Sequence, residues 1–253
     1  MQTAIVTGAA RGIGLATTRA LLELGWRVAM IDRDAPALRA AAAELDPVRA
    51  IICDVSIPEQ VSAMVTETAQ HFGRIDALVN NAAVGEFGLM HETDFTLWRE
   101  IMATNLDGVF LTSQAVAPYL KESGGAIVNI ASISGLRAST LRVAYGTSKA
   151  AVIHLTRQQA AELGHWGVRA NCVAPGPVDT KMALAVHTPE IRAAYHEAIP
   201  LNRYGLEAEI AEAIVFLCSD KASYITGQVI AVDGGFDATG VGLPALRDSL
   251  SAD

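Results

Sequence analysis

Short apolar runs rich in β-branched residues alternate along the chain with longer segments whose apolar residues recur at helical spacing. In the first of the longer segments, Ile13, Ala20 and Leu24 fall on one helical face. The short runs are typical of buried strands. The pattern predicts strands at residues 4–7, 27–31, 50–53, 77–79, 126–130, 168–173 and 228–232. It predicts helices at residues 13–24, 35–45, 61–72, 95–105, 109–121, 143–163 and 207–217.

This alternation indicates an α/β fold, because parallel strands must be joined by crossovers that are usually helices. Right-handed crossovers then predict a Rossmann-type doubly wound parallel sheet with helices on both faces. No linker or change of composition divides the 253 residues, so we expect a single domain, residues 1–253. Residues 174–206 lack a strand pattern, and we expect a substrate loop or lid there.

The composition excludes several classes of protein. The net charge is −8, which disfavours nucleic acid as a partner, and no run of 18 apolar residues predicts a membrane span. Three widely spaced cysteines without a C-x-x-C pair indicate reduced thiols and no metal site. The first residues do not form a signal peptide, so we expect a cytoplasmic protein.

A glycine-rich turn lies between the first predicted strand and the first predicted helix. It contains Gly8, Gly12 and Gly14. Gly8 permits a tight turn, Gly12 lets the backbone approach a pyrophosphate, and Gly14 permits close packing of helix on strand. The helix N-terminus favours phosphate charge. The turn, which includes Arg11 and Ile13, therefore predicts a dinucleotide-binding loop.

Asp32 ends the second predicted strand, about 20 residues after the glycines. A carboxylate here accepts hydrogen bonds from the adenosine ribose and repels a 2′-phosphate. Arg11 and Arg33 favour NADP instead, because either guanidinium could bind a 2′-phosphate. Repulsion by the carboxylate is hard to relieve, so we expect NAD rather than NADP.

Tyr145 and Lys149 lie four positions apart on a predicted helix and therefore share one face. A neighbouring ammonium favours the tyrosinate and lowers the pKa of a phenol, which makes it a usable acid or base. Such a pair is also common on protein surfaces. Ser132, however, follows another predicted strand, at the edge of the sheet where ligands bind.

Three further motifs complete the pattern: Asn80-Asn81-Ala82 after a strand, Asn105 near the end of a helix, and Pro175-Gly176 after a later strand. With the glycine turn, Ser132 and Tyr-x-x-x-Lys, they make residues 1–236 resemble the short-chain dehydrogenase/reductase family in its short form. Ala83 departs from the family pattern, in which glycine is usual, and we expect its methyl group to cause only a small adjustment.

The resemblance implies a role for each matching residue. Tyr145 would exchange a proton with the substrate oxygen, and Lys149 would lower the pKa of Tyr145 and bind the nicotinamide ribose. Ser132 would orient the substrate oxygen, and Asn105 would hold a water in a proton relay. The other implied cofactor contacts are Asp54 and Val55 at the adenine, Asn81 and Ala82 along the middle, and Pro175, Gly176, Val178 and Thr180 at the nicotinamide.

The predicted substrate is a small secondary alcohol, polyol or hydroxy acid, or the matching ketone. Arg142 lies just before Tyr145, where a guanidinium could bind a carboxylate or phosphate. Members of the family that oxidise hydroxy acids, such as 3-hydroxybutyrate dehydrogenases, carry a basic residue at the matching position. The alternative is a solvated arginine whose ion-pair partner is Glu86. Ser134 and Glu86 are further candidates for substrate contact.

The chain also resembles NADPH-dependent 3-oxoacyl-carrier-protein reductases, which gives an alternative function. Those enzymes meet an acidic carrier through basic residues, and the matching positions here, Ser123 and Trp166, lack charge. A non-catalytic NAD sensor is disfavoured because all four catalytic residues are present. The resemblance implies a homotetramer built on residues 109–121 and 143–163, with apolar residues Val109, Phe110, Val152 and Leu155. The tail, residues 237–253, could reach a neighbouring subunit.

Overall fold

The computed structural model describes residues 1–180 and 187–240. Seven strands form one parallel sheet in the order β3-β2-β1-β4-β5-β6-β7. The chain therefore extends the sheet from β1 in one direction and then returns to extend it in the other, which confirms the doubly wound topology. The strands are β1 Thr3–Thr7, β2 Arg27–Asp32, β3 Val48–Ile52, β4 Ala77–Asn80, β5 Ala126–Ile130, β6 Arg169–Pro175 and β7 Val229–Val232.

Helices cover both faces of the sheet, because each strand is apolar on both sides. Along β1, Ala4 and Val6 pack into one core cluster and Ile5 into the other. The first cluster includes residues of α1 and α9, and the second includes residues of α3 and α5. The described helices are α1 Gly12–Glu23, α2 Ala35–Ala42, α3 Pro58–Phe72, α4 Phe95–Met102, α5 Gly108–Ser123, α6 Ile133–Leu136, α7 Val143–Leu163, α8 Pro189–Ala198 and α9 Glu207–Cys218.

Several predicted boundaries are wrong, and two helices, α6 and α8, were not predicted. The helix predicted at residues 35–45 ends at Ala42, and the helix predicted at residues 61–72 begins at Pro58. The helix expected at residues 95–105 ends at Met102, because a π-helical turn, Ala103–Asp107, joins α4 to α5. The strand expected to end at 173 continues to Pro175, which the last position of a strand tolerates. Helix α8 lies in the region expected to be a lid. It begins with Thr188, whose hydroxyl accepts from the Ile191 N–H, followed by proline.

A buried chain of polar side chains crosses the sheet on the face covered by α5 and α7. Asn80 Nδ2 donates to Asn129 Oδ1 at 2.9 Å and to Ser113 Oγ at 3.0 Å. Thr112 on α5 donates to Asn80 Oδ1 at 2.7 Å. Asn129 Nδ2 in turn donates to two side chains of α7, Thr156 and Gln159. We call these six residues the polar bridge. It joins both helices through β4 and β5.

Several expectations concern features outside the active site. In the part of the chain that the structure describes, no helix is long and apolar enough to cross a membrane, and no cluster of side chains could hold a metal. The thiols of Cys53, Cys172 and Cys218 are buried and free. Residues 181–186 of the expected lid, and residues 241–253 of the tail, lie outside the described residues.

Candidate active site

The glycine turn has the conformation that a phosphate-binding loop requires. Gly8 and Gly12 have φ of 65° and 61°, in the left-handed region that favours glycine. A Cβ at Gly14 would lie 2.2 Å from the carbonyl oxygen of Gly8, so only glycine permits this packing. The Arg11 side chain does not cap α1, which leaves the N–H groups of the first turn, including Ile13, available to an anion. The loop therefore fits a dinucleotide.

Asn81 and Ala82, which the resemblance places along the middle of the cofactor, hold this loop in position. Asn81 Nδ2 donates to the carbonyl oxygens of Thr7 and Gly8, at 3.0 and 3.2 Å. The Thr7 hydroxyl accepts from the backbone N–H groups of both Asn81 and Ala82 at 3.0 Å. The Asn81 amide therefore positions the phosphate loop.

The adenosine end carries fixed carboxylates. Asp32 accepts backbone hydrogen bonds from Ala10 at 3.1 Å and from Asp34 at 3.0 Å. Arg11 forms an ion pair with Asp34, and its hydrogen bond lowers the pKa of that carboxyl. Both arginines that could bind a 2′-phosphate are paired, because Arg33 also lies 3.4 Å from Asp54.

Asp54 and Val55 lie beside this end of the site. Burial opposes ionisation of Asp54, but hydrogen bonds from Ser56 and Arg33 prevail and lower its pKa. Val55 is buried, and its side chain would lie 2.7 Å from a Cβ at Gly108. The start of α5 therefore packs directly on the predicted adenine contacts.

The predicted nicotinamide contacts follow β6, next to the strand that precedes Ser132. Pro175 is the last residue of β6, and the Gly176 N–H donates to the Val232 carbonyl at 3.0 Å. Val178 pairs with Gly205, and the Thr180 N–H donates to the Val178 carbonyl at 2.8 Å. These residues share the carboxyl edge of the sheet with the glycine turn and the catalytic candidates.

Ser132, Tyr145 and Lys149 meet at this edge. The Ser132 hydroxyl caps α6 by accepting from the Ser134 N–H at 3.1 Å, and it acts on the Tyr145 phenol so as to lower the pKa of that group. Lys149 is buried, and its Nζ donates to the Ile130 carbonyl at 2.7 Å. This nitrogen lies 5.7 Å from the centre of the Tyr145 ring. The arrangement places a proton-exchanging phenol beside a hydroxyl that can orient a substrate oxygen.

Burial favours the neutral forms of both Tyr145 and Lys149. It raises the pKa of Tyr145, against the opposing effects of the Ser132 hydrogen bond and the Arg142 charge. It lowers the pKa of Lys149 to about 8. The Lys149 ammonium donates to the Ile130 carbonyl, and the Arg142 charge favours the tyrosinate. That Lys149 lowers the pKa of Tyr145 stays a prediction.

Asn105 lies in the π-helical turn, and its side chain binds a neighbouring loop. Its Oδ1 accepts from the Val84 N–H at 2.8 Å. Its Nδ2 donates to the Val84 carbonyl at 2.8 Å and to Ser148 Oγ at 3.0 Å. The amide is engaged in this way, and the role of Asn105 in holding a relay water stays a prediction. A π turn displaces regular helical hydrogen bonds and suits that role.

The loop held by Asn105 contains two residues that sequence reasoning missed. A Cβ at Gly85 would lie 2.8 Å from Tyr145 Cδ2, so this glycine lies directly against the catalytic ring. The Phe87 ring centre lies 3.6 Å from the guanidinium carbon of Arg142. The signal that could have revealed them is their position directly after the Asn-Asn-Ala motif, in a loop with two glycines.

The three candidate substrate contacts differ in their surroundings. Glu86 is exposed, and no ion pair joins it to Arg142, so the alternative that these two residues form a pair is wrong for the described structure. The Ser134 hydroxyl lies 2.9 Å from that of Ser139. A groove of about 480 Å³ is lined by both Ser134 and Arg142. Gly146 also lines it, whereas Ser132, Tyr145 and Lys149 do not.

An aromatic cluster connects α8 to this region. His187 Nδ1 lies 3.0 Å from the Tyr204 hydroxyl, and the His187 ring stacks on Tyr195. Tyr195 also packs edge-on against Phe236. Burial lowers the pKa of His187, and the charges of Arg142 and a second arginine add to this effect. The cluster packs α8 against Tyr204 and Phe236.

Comparison with known proteins identifies the class. A family model described as enoyl-(acyl carrier protein) reductase matches residues 8–237. A crystal structure of levodione reductase superposes with a TM-score of 0.90 at 34% identity, covering 94% of this chain and 98% of that one. The chain belongs to the short-chain dehydrogenase/reductase family, whose members use nicotinamide cofactors.

Three curated relatives show the range of chemistry within this similarity. Galactitol 2-dehydrogenase (L-tagatose-forming) of Cereibacter sphaeroides is 43% identical and covers 92% of this chain and 94% of its own. 2-(S)-hydroxypropyl-CoM dehydrogenase 3 of Xanthobacter autotrophicus is 40% identical, with coverage of 92% and 95%. 3-oxoacyl-(acyl-carrier-protein) reductase of Chlamydia trachomatis is 37% identical, with coverage of 92% and 96%. All three names denote alcohol or ketone oxidoreductases.

Proposed function

We propose that this protein is an NAD-dependent dehydrogenase that oxidises a small secondary alcohol and catalyses the reverse reduction of the ketone. The observation that carries the proposal is that Ser132, Tyr145 and the buried Lys149 meet on the edge of the sheet that holds the phosphate loop, with Lys149 Nζ 5.7 Å from the centre of the Tyr145 ring. A phenol in this position can exchange a proton with an alcohol oxygen. The relatives named as dehydrogenases support the same reaction type.

The roles of the chain's own residues follow from this geometry. Ser132 and Tyr145 bind the substrate hydroxyl, and Tyr145, as tyrosinate, takes its proton during oxidation. In reduction the neutral phenol returns the proton to the ketone oxygen. Lys149 supplies a buried cation next to the ring, and Asn105 supports the wall of the site through Val84. The nicotinamide supplies the hydride acceptor or donor when bound.

Charge at the adenosine end supports NAD over NADP. Asp32 offers fixed acceptors to ribose hydroxyls, and the carboxylates of Asp34 and Asp54 already occupy the two nearby guanidinium groups. A 2′-phosphate would face three carboxylates and would have to displace two ion pairs. The 2′-hydroxyl of NAD is neutral, so these carboxylates do not repel it and no ion pair has to be broken.

A direct test measures NADH and NADPH formation by the purified protein over pools of secondary alcohols, diols and hydroxy acids. NAD-linked oxidation of one pool is the expected result. Oxidation with neither cofactor, together with NADPH-linked reduction of acyl thioesters, would contradict the proposal.

That second outcome describes the alternative function, a 3-oxoacyl-carrier-protein reductase. One structural observation favours it: Lys121 Nζ lies 3.3 Å from the centre of the Trp166 ring. A cation therefore sits at one of the two positions that the sequence suggested were uncharged. Reduction of an acyl thioester by NADPH, weakened by Lys121→Glu, would establish this alternative.

We further propose a single-domain, cytoplasmic homotetramer. The buried free thiols support a reducing compartment. The interface residues expected from sequence need correction, because Val109 and Val152 are buried within the subunit and Phe110 on α5 is 48% exposed. Phe110 is therefore the residue we expect at a helix interface. Sedimentation of the wild type and of Phe110→Glu tests this arrangement.

A further inference from the structure

Arg142 carries a charge beside the catalytic phenol without a carboxylate partner. Its guanidinium carbon lies 5.1 Å from the centre of the Tyr145 ring and 3.6 Å from that of Phe87. In residues 1–180 and 187–240, no carboxylate oxygen lies within 4.0 Å of its nitrogen atoms. Burial lowers its pKa, which reflects the cost of removing this cation from water.

The other arginines near this edge are paired. Arg137 donates to the Phe236 carbonyl at 2.8 Å and lies 3.9 Å from Asp237. Arg192 lies 2.7 Å from Asp179. Among the described residues, by contrast, the Arg142 guanidinium contacts aromatic faces and no carboxylate, and a half-buried charge of this kind is stabilised by a bound anion.

Stacking on Phe87 fixes the direction in which Arg142 can bind. A guanidinium that lies over a ring uses its face for the cation–π contact and keeps its in-plane N–H donors free. Those donors match the two oxygens of a carboxylate or related anion. The groove of about 480 Å³ beside Arg142 provides room for such a group.

We propose that Arg142, oriented by Phe87, binds an anionic group of the substrate whose secondary hydroxyl lies at Ser132 and Tyr145. This inference rests on the proposed function and adds a substrate class to it: short hydroxy acids or hydroxyalkyl sulfonates or phosphates. Since Arg142 lies 5.1 Å from the Tyr145 ring centre, the anion and the carbinol carbon are separated by only a few bonds.

The test compares matched substrates at saturating NAD. Each anionic alcohol, with carboxylate, sulfonate or phosphate arms tested separately, is paired with a neutral partner of equal length, such as the methyl ester or a simple secondary alcohol. The wild type is expected to prefer an anionic member by about 100-fold in kcat/KM, as for a bidentate charged contact. Arg142→Gln should remove that preference. Because the Arg142 charge also lowers the pKa of Tyr145, kcat/KM for both partners should fall by a common factor, so the ratio of the two kcat/KM values carries the test.

Two further variants separate recognition from folding. Arg157→Gln, the same substitution at an exposed position of α7, should behave as wild type. Phe87→Leu, which keeps an apolar side chain but removes the ring face, should raise KM for the anionic substrate about two- to fivefold. Cofactor binding followed by NADH fluorescence shows whether each variant is folded.

The outcomes are distinguishable. If the wild type oxidises neutral and anionic partners equally, or if Arg142→Gln slows both equally, Arg142 does not recognise an anion, while the proposed dehydrogenase activity stands. If no alcohol is oxidised with NAD, the proposed function itself fails. Restoration of the anionic preference by Arg142→Lys, relative to Arg142→Gln, would support the role of charge.

Discussion

The two ends of the carboxyl edge treat positive charge in opposite ways. At the adenosine end, Arg11 and Arg33 each face a carboxylate, and Asp32 is fixed by two backbone N–H groups. At the substrate end, Arg142 rests on the Phe87 ring. In our proposal the first end therefore discriminates by repulsion and by fixed acceptors, and the second by attraction to a cation that no carboxylate of the described residues neutralises.

This difference explains why the two ends give specificity of different kinds. A ligand at the adenosine end must avoid adding negative charge to a region where the existing cations are already used. A ligand at the substrate end gains most by adding negative charge. Substitutions that alter one end should leave the other unchanged, because the affected groups share no partner.

The largest expected effect comes from Tyr145→Phe, which removes the proton-exchanging oxygen at the substrate end. Turnover should fall by about 10²- to 10⁴-fold, the usual contribution of general acid–base catalysis. NAD affinity, at the other end, should change less than about twofold. Single-turnover kinetics and NADH fluorescence titration measure the two quantities.

Tyr224→Phe, at a fully exposed tyrosine, is the control. A rate above a tenth of wild type in Tyr145→Phe would refute the assignment of Tyr145 as the general acid and base.

At the adenosine end, Asp32→Ser should raise KM for NAD by about 10- to 100-fold, the loss expected for hydrogen bonds to a charged acceptor. NADP should become usable because repulsion is reduced. Asp34→Ser frees Arg11 and leaves Asp32 in place, so it should lower KM for NADP with little change for NAD. Initial rates with both cofactors measure this, and equal effects of the two substitutions on NAD would contradict the separate roles.

Gly85→Ala tests the wall of the substrate end. The new methyl would lie 2.8 Å from Tyr145 Cδ2 and must displace the ring. We expect kcat to fall about tenfold, since small displacements of a catalytic group are costly, with KM for NAD unchanged. Gly164→Ala, where a Cβ meets open space, provides the control. An unchanged kcat in Gly85→Ala would show that the ring position is not critical.

The smallest effect is a pH dependence. The Lys149 ammonium, with its pKa lowered to about 8, is present below pH 8 and is lost above it. Because burial raises the pKa of Tyr145, the tyrosinate needed for oxidation forms only as pH rises. The kcat/KM profile for oxidation by the free enzyme should therefore rise to about pH 8 and then level off, because the gain in tyrosinate is offset by the loss of the ammonium. A profile that continues to rise from pH 8 to pH 10 would show that the charge on Lys149 is not required.

The sequence was sufficient for the sheet, the glycine turn and the Ser132–Tyr145–Lys149 group, because each depends on local pattern or on strand ends that meet at one edge. It could not reveal the contact of Gly85 with Tyr145 or of Phe87 with Arg142. Those contacts arise when a loop is drawn in by Asn105 through tertiary hydrogen bonds. The direction of the Lys149 side chain, toward Ile130, likewise depends on burial that no local pattern expresses.

The polar bridge limits how this chain can be recombined with its relatives. Asn80, Thr112 and Ser113 lie in the first half of the chain, and Asn129, Thr156 and Gln159 follow in the second. A chimaera joined between residues 113 and 129 would take its amide donors and acceptors from different parents. Unless both parents share all six side chains, buried groups would lose their partners, at about 1–3 kcal/mol each. In folded chimaeras of this protein, the point at which the two parent sequences are joined should therefore lie before residue 80 or after residue 159.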